Sequence, residues 1–409
     1  MRNIFFSLGL LALIGMSGKV QAQTIIASGD CGANGNNLTW VLTSDSVLTI
    51  SGSGEMDDFQ YSSATWISYN GYIMTVVIED SVSSIGHAAF FDCQNLTSIS
   101  IPKSVMAIGN SLFDNCFSLL SIDVDANNVR YSSHGGILYS KLQDTLFYYP
   151  LGKTDDFIIP NSVTTIGYGA FFQCFGLTSI TIPESVTTIE ADVFAQCRNL
   201  ASVTLPNSVT AIGEAAFLEC ISLTSIIIPN LITTIEPVTF LGCVSLASVT
   251  LSNSVTTIGN SAFYGCIGLD TIICKALKPP IIYQNTFSGV RKYIPVYIPC
   301  HTLTSYQKSG WGDYFPNLIE DCTGFNEAVE TGKINVHPNP TNGQLRIGVG
   351  RDMINHVSTE IEIFDVAGCN VGTYRIRPEN TETVIDISHL AMGMYFLKID
   401  GKMVKVVKQ

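Results

Sequence analysis

Covalent chemistry needs a nucleophile, a base or a set of metal ligands, and in these 409 residues the obvious candidates are 12 cysteines and 6 histidines. Seven cysteines share one spacing, each three residues after a phenylalanine: Phe90/Cys93, Phe113/Cys116, Phe171/Cys174, Phe194/Cys197, Phe217/Cys220, Phe240/Cys243 and Phe263/Cys266. Thiols in register could bridge, bind metal or attack as thiolates. Geometry argues against bridges along the register. Equivalent residues on adjacent strands lie about 4.8 Å apart with parallel Cβ directions, whereas a disulfide wants Cβ atoms about 3.8 Å apart on converging vectors. These thiols are expected to fill a core as small apolar groups. Cys31, Cys274, Cys300, Cys322 and Cys369 fall outside the register, and one or two bridges are expected among them with the pairing left open. The histidines are scattered, and HExxH, GxSxG, GxxxxGK and CxxC are all absent, so no catalytic, cofactor or metal residue is assigned and no enzyme is expected. Asp123, Asp125 and Asn127 imitate the start of a calcium loop, but Asn128 replaces its turn glycine and His134 its bidentate glutamate.

The register of the cysteines belongs to a longer period. Ile159-Pro160, Ile182-Pro183, Leu205-Pro206 and Ile228-Pro229 recur every 23 residues, and the unit LTSITIPESVTTIEADVFAQCRN at 177–199 is repeated almost word for word by its neighbours. Within it Leu177, Ile180 and Ile182 form a strand that Pro183 closes, Val186 and Ile189 return across a core, and Val193, Phe194 and Cys197 suit one short helical or 3-10 turn. One such coil cannot cover its own apolar edges. Stacking must supply the missing contacts and hydrogen bonds, so the pattern predicts a repeat solenoid with a parallel β-sheet, eight coils from 78 to 273. One step breaks the period: Val124 to Ile159 is 35 residues and contains ILYSKLQDTLFYYP, read as a hairpin insertion at about 129–150. Its Tyr131, Tyr139, Tyr148 and Tyr149 suit either a binding face or packing onto the coils beneath.

Strand alternation points a row of hydroxyls outward: Thr97, Ser98, Ser100, Thr178, Ser179, Thr181, Ser202, Thr204, Thr224, Ser225, Ser248 and Thr250. These are the candidate ligand-facing residues, although threonine ladders also simply favour strands. Only 13% of the chain is charged, and 157–273 contains one cation, Arg198, so little electrostatic steering is expected there. The net charge of −13 repels phosphate backbones and excludes nucleic acid as a partner.

The two ends differ from the middle. Arg2, the apolar run Ile4–Met16 and Val20-Gln21-Ala22 read as a signal peptide, 1–22, too short to span a membrane; no later stretch is long enough either, so a secreted chain without a transmembrane segment is expected. After Cys322 the repeat vanishes, and 331–409 carries nine of the 21 Lys and Arg against eight of the 34 acids. Its alternating runs LRIGV, TEIEIFDV, GTYRIR, TVIDI, MYFLKI and MVKVVK predict a small antiparallel β-sandwich.

The form IPxSVTxIGxxAFxxCxxLTSI resembles the BspA-like branch of the leucine-rich repeat superfamily, over 24 to about 322. That resemblance implies an amino-terminal cap at 23–77, the solenoid at 78–273 and a carboxy-terminal cap at 274–322. It also implies a surface protein that binds a protein or glycan, as in adhesion to host matrix or to other cells; the alternative is a passive spacer of the cell envelope. After a linker at 323–330, the words HPNPTNGQLRI, IEIFDVAGCNV and IDISHLAMGMYFLKID resemble the type IX secretion sorting domain across 331–409. By that resemblance Pro338, Asn339 and Pro340 open the domain, Asp365 and Gly368 mark its first hairpin, and Gly393, Tyr395, Lys405 and Lys408 belong to the terminal signal. The type IX machinery would then be a partner, and the chain would reach the outer-membrane surface or the medium after removal of the domain.

Overall fold

The computed structural model describes residues 23–154, 157–322, 334–337, 341, 344–349, 359–365, 369–376, 382–399 and 402–408. The signal segment 1–22 and the linker 323–330 lie outside the described residues. The chain divides into two compact units, one ending at Glu320 and the other beginning at Asp321.

In the first unit each coil contributes a strand of alternating character. Ser179–Thr181 buries Ile180 and exposes its two neighbours, and it pairs in parallel with Ser202–Thr204, each residue opposite the one 23 positions on. A second ladder is made by the return segment, where Thr188–Ile189 pairs in parallel with Thr165–Ile166 and Ala211–Ile212.

Between Asp192 and Cys197 the short turn closes with three-residue, 3-10-type hydrogen bonds and adds bonds to the next coil. Asp192 N–H donates to Glu214 O at 3.0 Å, Phe194 N–H to Ala216 O at 2.8 Å and Gln196 N–H to Leu218 O at 2.6 Å. The intervening amides close three-residue turns, Ala195 on Asp192 and Cys197 on Phe194. A helix would return every amide to its own chain; here alternate amides reach the next coil and form a third ladder. That geometry demands two left-handed residues per coil, Asp192 at φ 57° and Gln196 at φ 59°, and the equivalent positions from Ala88 to Gly265 also have positive φ. Where Gly242, Gly265 and Gly289 occupy the second position, the strain of an L side chain is avoided.

The phenylalanines form the spine. Phe171, Phe194, Phe217, Phe240, Phe263 and Phe287 are stacked with successive ring centroids 5.2–5.4 Å apart and ring planes within 16° of parallel. Trp66 caps the column at one end, stacked 5.8 Å from Phe90, and Trp311 meets Phe287 edge-on at the other. The ladders run on past the eight coils expected, to about eleven turns. Val47–Ile50 already pairs in parallel with Thr75–Ile78, and Thr271–Cys274 continues to Val296–Pro299 before the helices Leu303–Gln307 and Gly310–Tyr314 close the end.

The second unit is the antiparallel sandwich that the alternating runs predict. One sheet holds Ile334–His337, Gln344–Val349 and Glu382–Asp386, and the other holds Asn370–Ile376, Thr359–Asp365, Gly393–Ile399 and Lys402–Lys408. Leu345, Ile347 and Ile385 from the first sheet pack with Ile361, Ile363, Leu397 and Val406 from the second.

Candidate functional site

The twelve hydroxyl residues are each exposed or half-exposed; Thr97, Thr178 and Thr224 immediately precede a strand and the rest lie on strands, with 179–181 paired to 202–204 and 225–227 to 248–250 in two separate sheets. They do not form one unbroken field. Thr97, Ser98 and Ser100 stand before the interrupted coil and the other nine after it, and Ile227, 68% exposed, sits among the latter. Three hydroxyls are already engaged: Thr97 Oγ1 donates to Met74 O at 2.9 Å, Thr224 Oγ1 to Ala201 O at 3.2 Å, and Ser98 Oγ lies 3.5 Å from Thr75 Oγ1.

The interrupted coil builds a different kind of surface. Phe113 and Phe171 are separated by 58 residues with no FxxC between them, so one turn of the third ladder is missing. The hairpin strands Tyr131–His134, Ile137–Ser140 and Thr145–Tyr148 fill part of the gap, and the last of them hands the second ladder on to Thr165–Ile166. Two tyrosines carry the aromatic spine across. Tyr148 meets Phe113 edge-on at 4.9 Å and donates its hydroxyl to Phe113 O at 3.0 Å, while Tyr149 lies 5.3 Å from Phe171 and its N–H donates to Ala170 O. On one side the flanking coils close directly on each other, with Asn115 N–H donating to Gln173 Oε1 at 3.0 Å and Phe117 stacked on Phe175. On the other side they do not, and a cavity of about 310 Å³ remains.

Its walls combine aromatic rings with carboxylates. Tyr61 and Tyr168 stand at the rim, Tyr131 and Tyr148 come from the hairpin, and Asp114, Glu190 and Asp192 come from the flanking coils. Tyr61 Oη lies 3.0 Å from Ser111 Oγ, and Glu190 Oε2 accepts the Tyr168 N–H at 2.8 Å. Asp114 is only 8% exposed, and burial pushes its carboxyl up to about 6, opposed by a Ser111 hydrogen bond and by His87 and reinforced by Asp192. Of the four tyrosines noted in the hairpin sequence, Tyr139 and Tyr149 are buried in packing, whereas Tyr131 and Tyr148 line this cavity. Asp114, Glu190, Asp192, Tyr61 and Tyr168 were not singled out by the sequence; the 58-residue step without an FxxC was the available signal.

No cysteine of the repeat register is placed for nucleophilic attack. Cys116, Cys197, Cys220, Cys243 and Cys266 are buried, and each thiol donates to the carbonyl of the phenylalanine 26 residues earlier at 2.9–3.2 Å. Burial pushes Cys93 and Cys266 up to about 12 and Cys197, Cys220 and Cys243 well above their ordinary value. Off the register, Cys300 and Cys322 are disulfide-bonded, while Cys31, Cys274 and Cys369 are free thiols. In the calcium-like loop Asp125 Oδ1 accepts the Asn127 N–H at 2.7 Å. Buried Asn128 donates to Pro102 O and Val105 O and accepts from Arg130 and Tyr131 N–H, so this segment locks two coils together.

In the second unit Asp365 opens a hairpin, donating its N–H to Cys369 O at 3.0 Å and accepting the Cys369 N–H on Oδ1 at 2.9 Å. Gly393 and Lys405 lie on the paired final strands, opposite Lys408 and Phe396. Tyr395 donates to Ala391 O at 2.9 Å, and the Lys408 ammonium donates to Ser388 O at 2.8 Å and to Leu390 O. Pro338, Asn339, Pro340 and Gly368 lie outside the described residues.

Stacked parallel coils with a phenylalanine spine, followed by an antiparallel sandwich, define a leucine-rich repeat protein with a sorting tail. Residues 67–135, 140–270 and 210–310 match the BspA type leucine-rich repeat region, in six copies, and the chain belongs to that family. Residues 335–409 match the secretion system C-terminal sorting domain, which makes this a type IX secretion substrate with a surface or extracellular location. No helix among the described residues is long and apolar enough to cross a membrane. Similar solved structures include a leucine-rich repeat protein from Eubacterium ventriosum, 25% identical over 64% of this chain and 95% of that one with a TM-score of 0.40. A leucine-rich cell surface protein from Faecalibacterium prausnitzii is 22% identical over 58% and 93%, TM-score 0.40, and the pneumococcal vaccine antigen PcpA 17% identical over 73% and 97%, TM-score 0.47. No curated protein matches this chain.

Proposed function

We propose that the solenoid is a binding module that attaches the cell surface to host matrix proteins, glycans or other cells, and that it acts without catalysis. The observation that carries this reading is the exposed, nearly uncharged hydroxyl field from Thr178 to Thr250, carried on parallel-paired strands in a chain exported to the surface. Such a field favours many weak polar contacts over one strong anchor. Every cysteine of the repeat register is buried with a raised thiol, which supports a non-catalytic role. Surface plasmon resonance of the full chain against matrix proteins, glycans and whole cells tests it. Binding is expected, and the double substitution Thr181→Lys with Thr204→Lys should reduce it; uniformly blank panels would count against it. The spacer reading draws support from the hydroxyls of Thr97 and Thr224, which are engaged with the neighbouring coil. Under that reading the same double substitution leaves surface phenotypes unchanged.

A further inference from the structure

The cavity at the missing turn is chemically unlike the rest of the solenoid. Three carboxylates, Asp114, Glu190 and Asp192, converge on it, and among the described residues that line it there is no lysine, arginine or histidine. Aromatic faces from Tyr61, Tyr148 and Tyr168 stand beside them. At about 310 Å³ it lies at the small end of ligand clefts, which span about 300–1,000 Å³, so it admits a side chain rather than a length of polypeptide.

We propose that this cavity is a receptor for a cationic side chain, an arginine or lysine presented by a protein partner. An anionic ligand would meet three like charges in a confined space. A neutral sugar could stack on the tyrosines, yet it would leave the buried carboxylate of Asp114 without a countercharge. A guanidinium or ammonium satisfies both halves of the site, pairing with the carboxylates and lying against the aromatic faces. The free protein carries the cost of holding Asp114 against solvent exclusion, with Ser111 bonded to it, His87 in its field and Asp192 opposing it. A bound cation relieves that cost, so the site favours charge over shape. The regular coils close coil on coil through their third ladder, as Asp192 does by donating its amide to Glu214 O; at the gap the Tyr149 N–H takes Ala170 O and open volume remains beside Asp114. The proposal concerns a surface separate from the hydroxyl field and stands or falls apart from it.

The test is calorimetric titration of the purified full chain with acetyl-Gly-Arg-Gly-amide, with the same peptide carrying citrulline, and with a neutral disaccharide. The arginine peptide is expected to bind at least about tenfold tighter than its uncharged citrulline counterpart, since paired charge and cation–π contact are what distinguish them. Asp114→Asn and Asp192→Asn should each erase that preference without lowering the melting temperature, and added salt should weaken the arginine peptide alone. Thr181→Lys, on the strand face, should leave the preference intact. Equal affinity for arginine and citrulline peptides, binding of the disaccharide that is lost in Asp114→Asn, or no binding of the arginine peptide would each overturn the proposal.

Discussion

The regular stack from Phe171 to Phe287 and the interrupted coil between Phe113 and Phe171 are made of the same materials and end in opposite states. In the stack each coil spends its alternate amides on the next coil, each thiol on the previous phenylalanine carbonyl and each ring on two flanking rings. The product is saturated inside and presents only a flat polar surface. In the interrupted coil the spine is carried by two tyrosines and the third ladder lapses, so a buried carboxylate and open volume coexist. Periodicity therefore stabilises, and a break in the period is where a repeat protein gains a concave, individual site.

Removing a ring from the stack should break this comparison most visibly. Phe217 is fully buried between Phe194 and Phe240, at 5.3 and 5.4 Å, and its neighbours cannot collapse without breaking their own ladders. Phe217→Ala is expected to lower stability by about 3–5 kcal/mol, in the range of large core truncations. Tyr148→Ala removes a ring that already borders open space and should cost clearly less. Urea unfolding of both variants measures the difference, and equal losses would show that the spine is no tighter in the stack than across the gap.

The next effect sharpens the comparison from the cavity side, through pH. The Asp114 carboxyl rises from 3.8 to about 6 on folding, so between those values the folded state holds its proton more tightly than the unfolded state. This contribution favours folding below about 4 and is lost as pH rises through about 6; the ionised group then costs on the order of 2 kcal/mol. Asp114→Asn should therefore raise stability at pH 7 by up to that amount, with the gain shrinking toward pH 4. His87 and Asp192 are the charged groups that act on Asp114, so each variant should be melted at pH 4, 5, 6 and 7 beside wild type. Parallel curves across that range would mean that Asp114 is not held neutral by burial.

Much of this was legible in the chain. Strand, proline stop, return and FxxC follow from a 23-residue period, because each position repeats the same burial and the errors of one coil are corrected by the next. The short turn after Val193 was legible, but the partners of its amides were not. An apolar pattern shows which side chains face inward but not where the amides go, and the amides of Asp192 and Gln196 go to the neighbouring coil rather than back along their own. That Ser179 and Thr181 flank a buried Ile180 was readable because strand alternation has a fixed period of two. The cavity was not, since Asp114 stands before the gap and Asp192 one coil beyond Phe171, and they line one space only because a turn of the ladder is absent between Phe113 and Phe171. A missing repeat leaves a gap in the pattern, and no residue type announces what will face it.

The smallest expected effect concerns the thiols. Cys220 Sγ lies 3.1 Å from Phe194 O, whereas Cys174, at the edge of the gap, reaches Tyr149 O at 3.8 Å. Each Cys→Ala change removes a buried sulfur and leaves a small void, a loss of about 1 kcal/mol. Cys220→Ala additionally orphans its share of a tight contact, so it should cost a few tenths of a kcal/mol more than Cys174→Ala. The native chain should meanwhile resist alkylation at both positions, because burial raises both thiols, and label at the exposed Cys369. If Cys174→Ala proved the costlier change, the thiol contact would be incidental, and cysteine would recur every 23 residues for its volume alone.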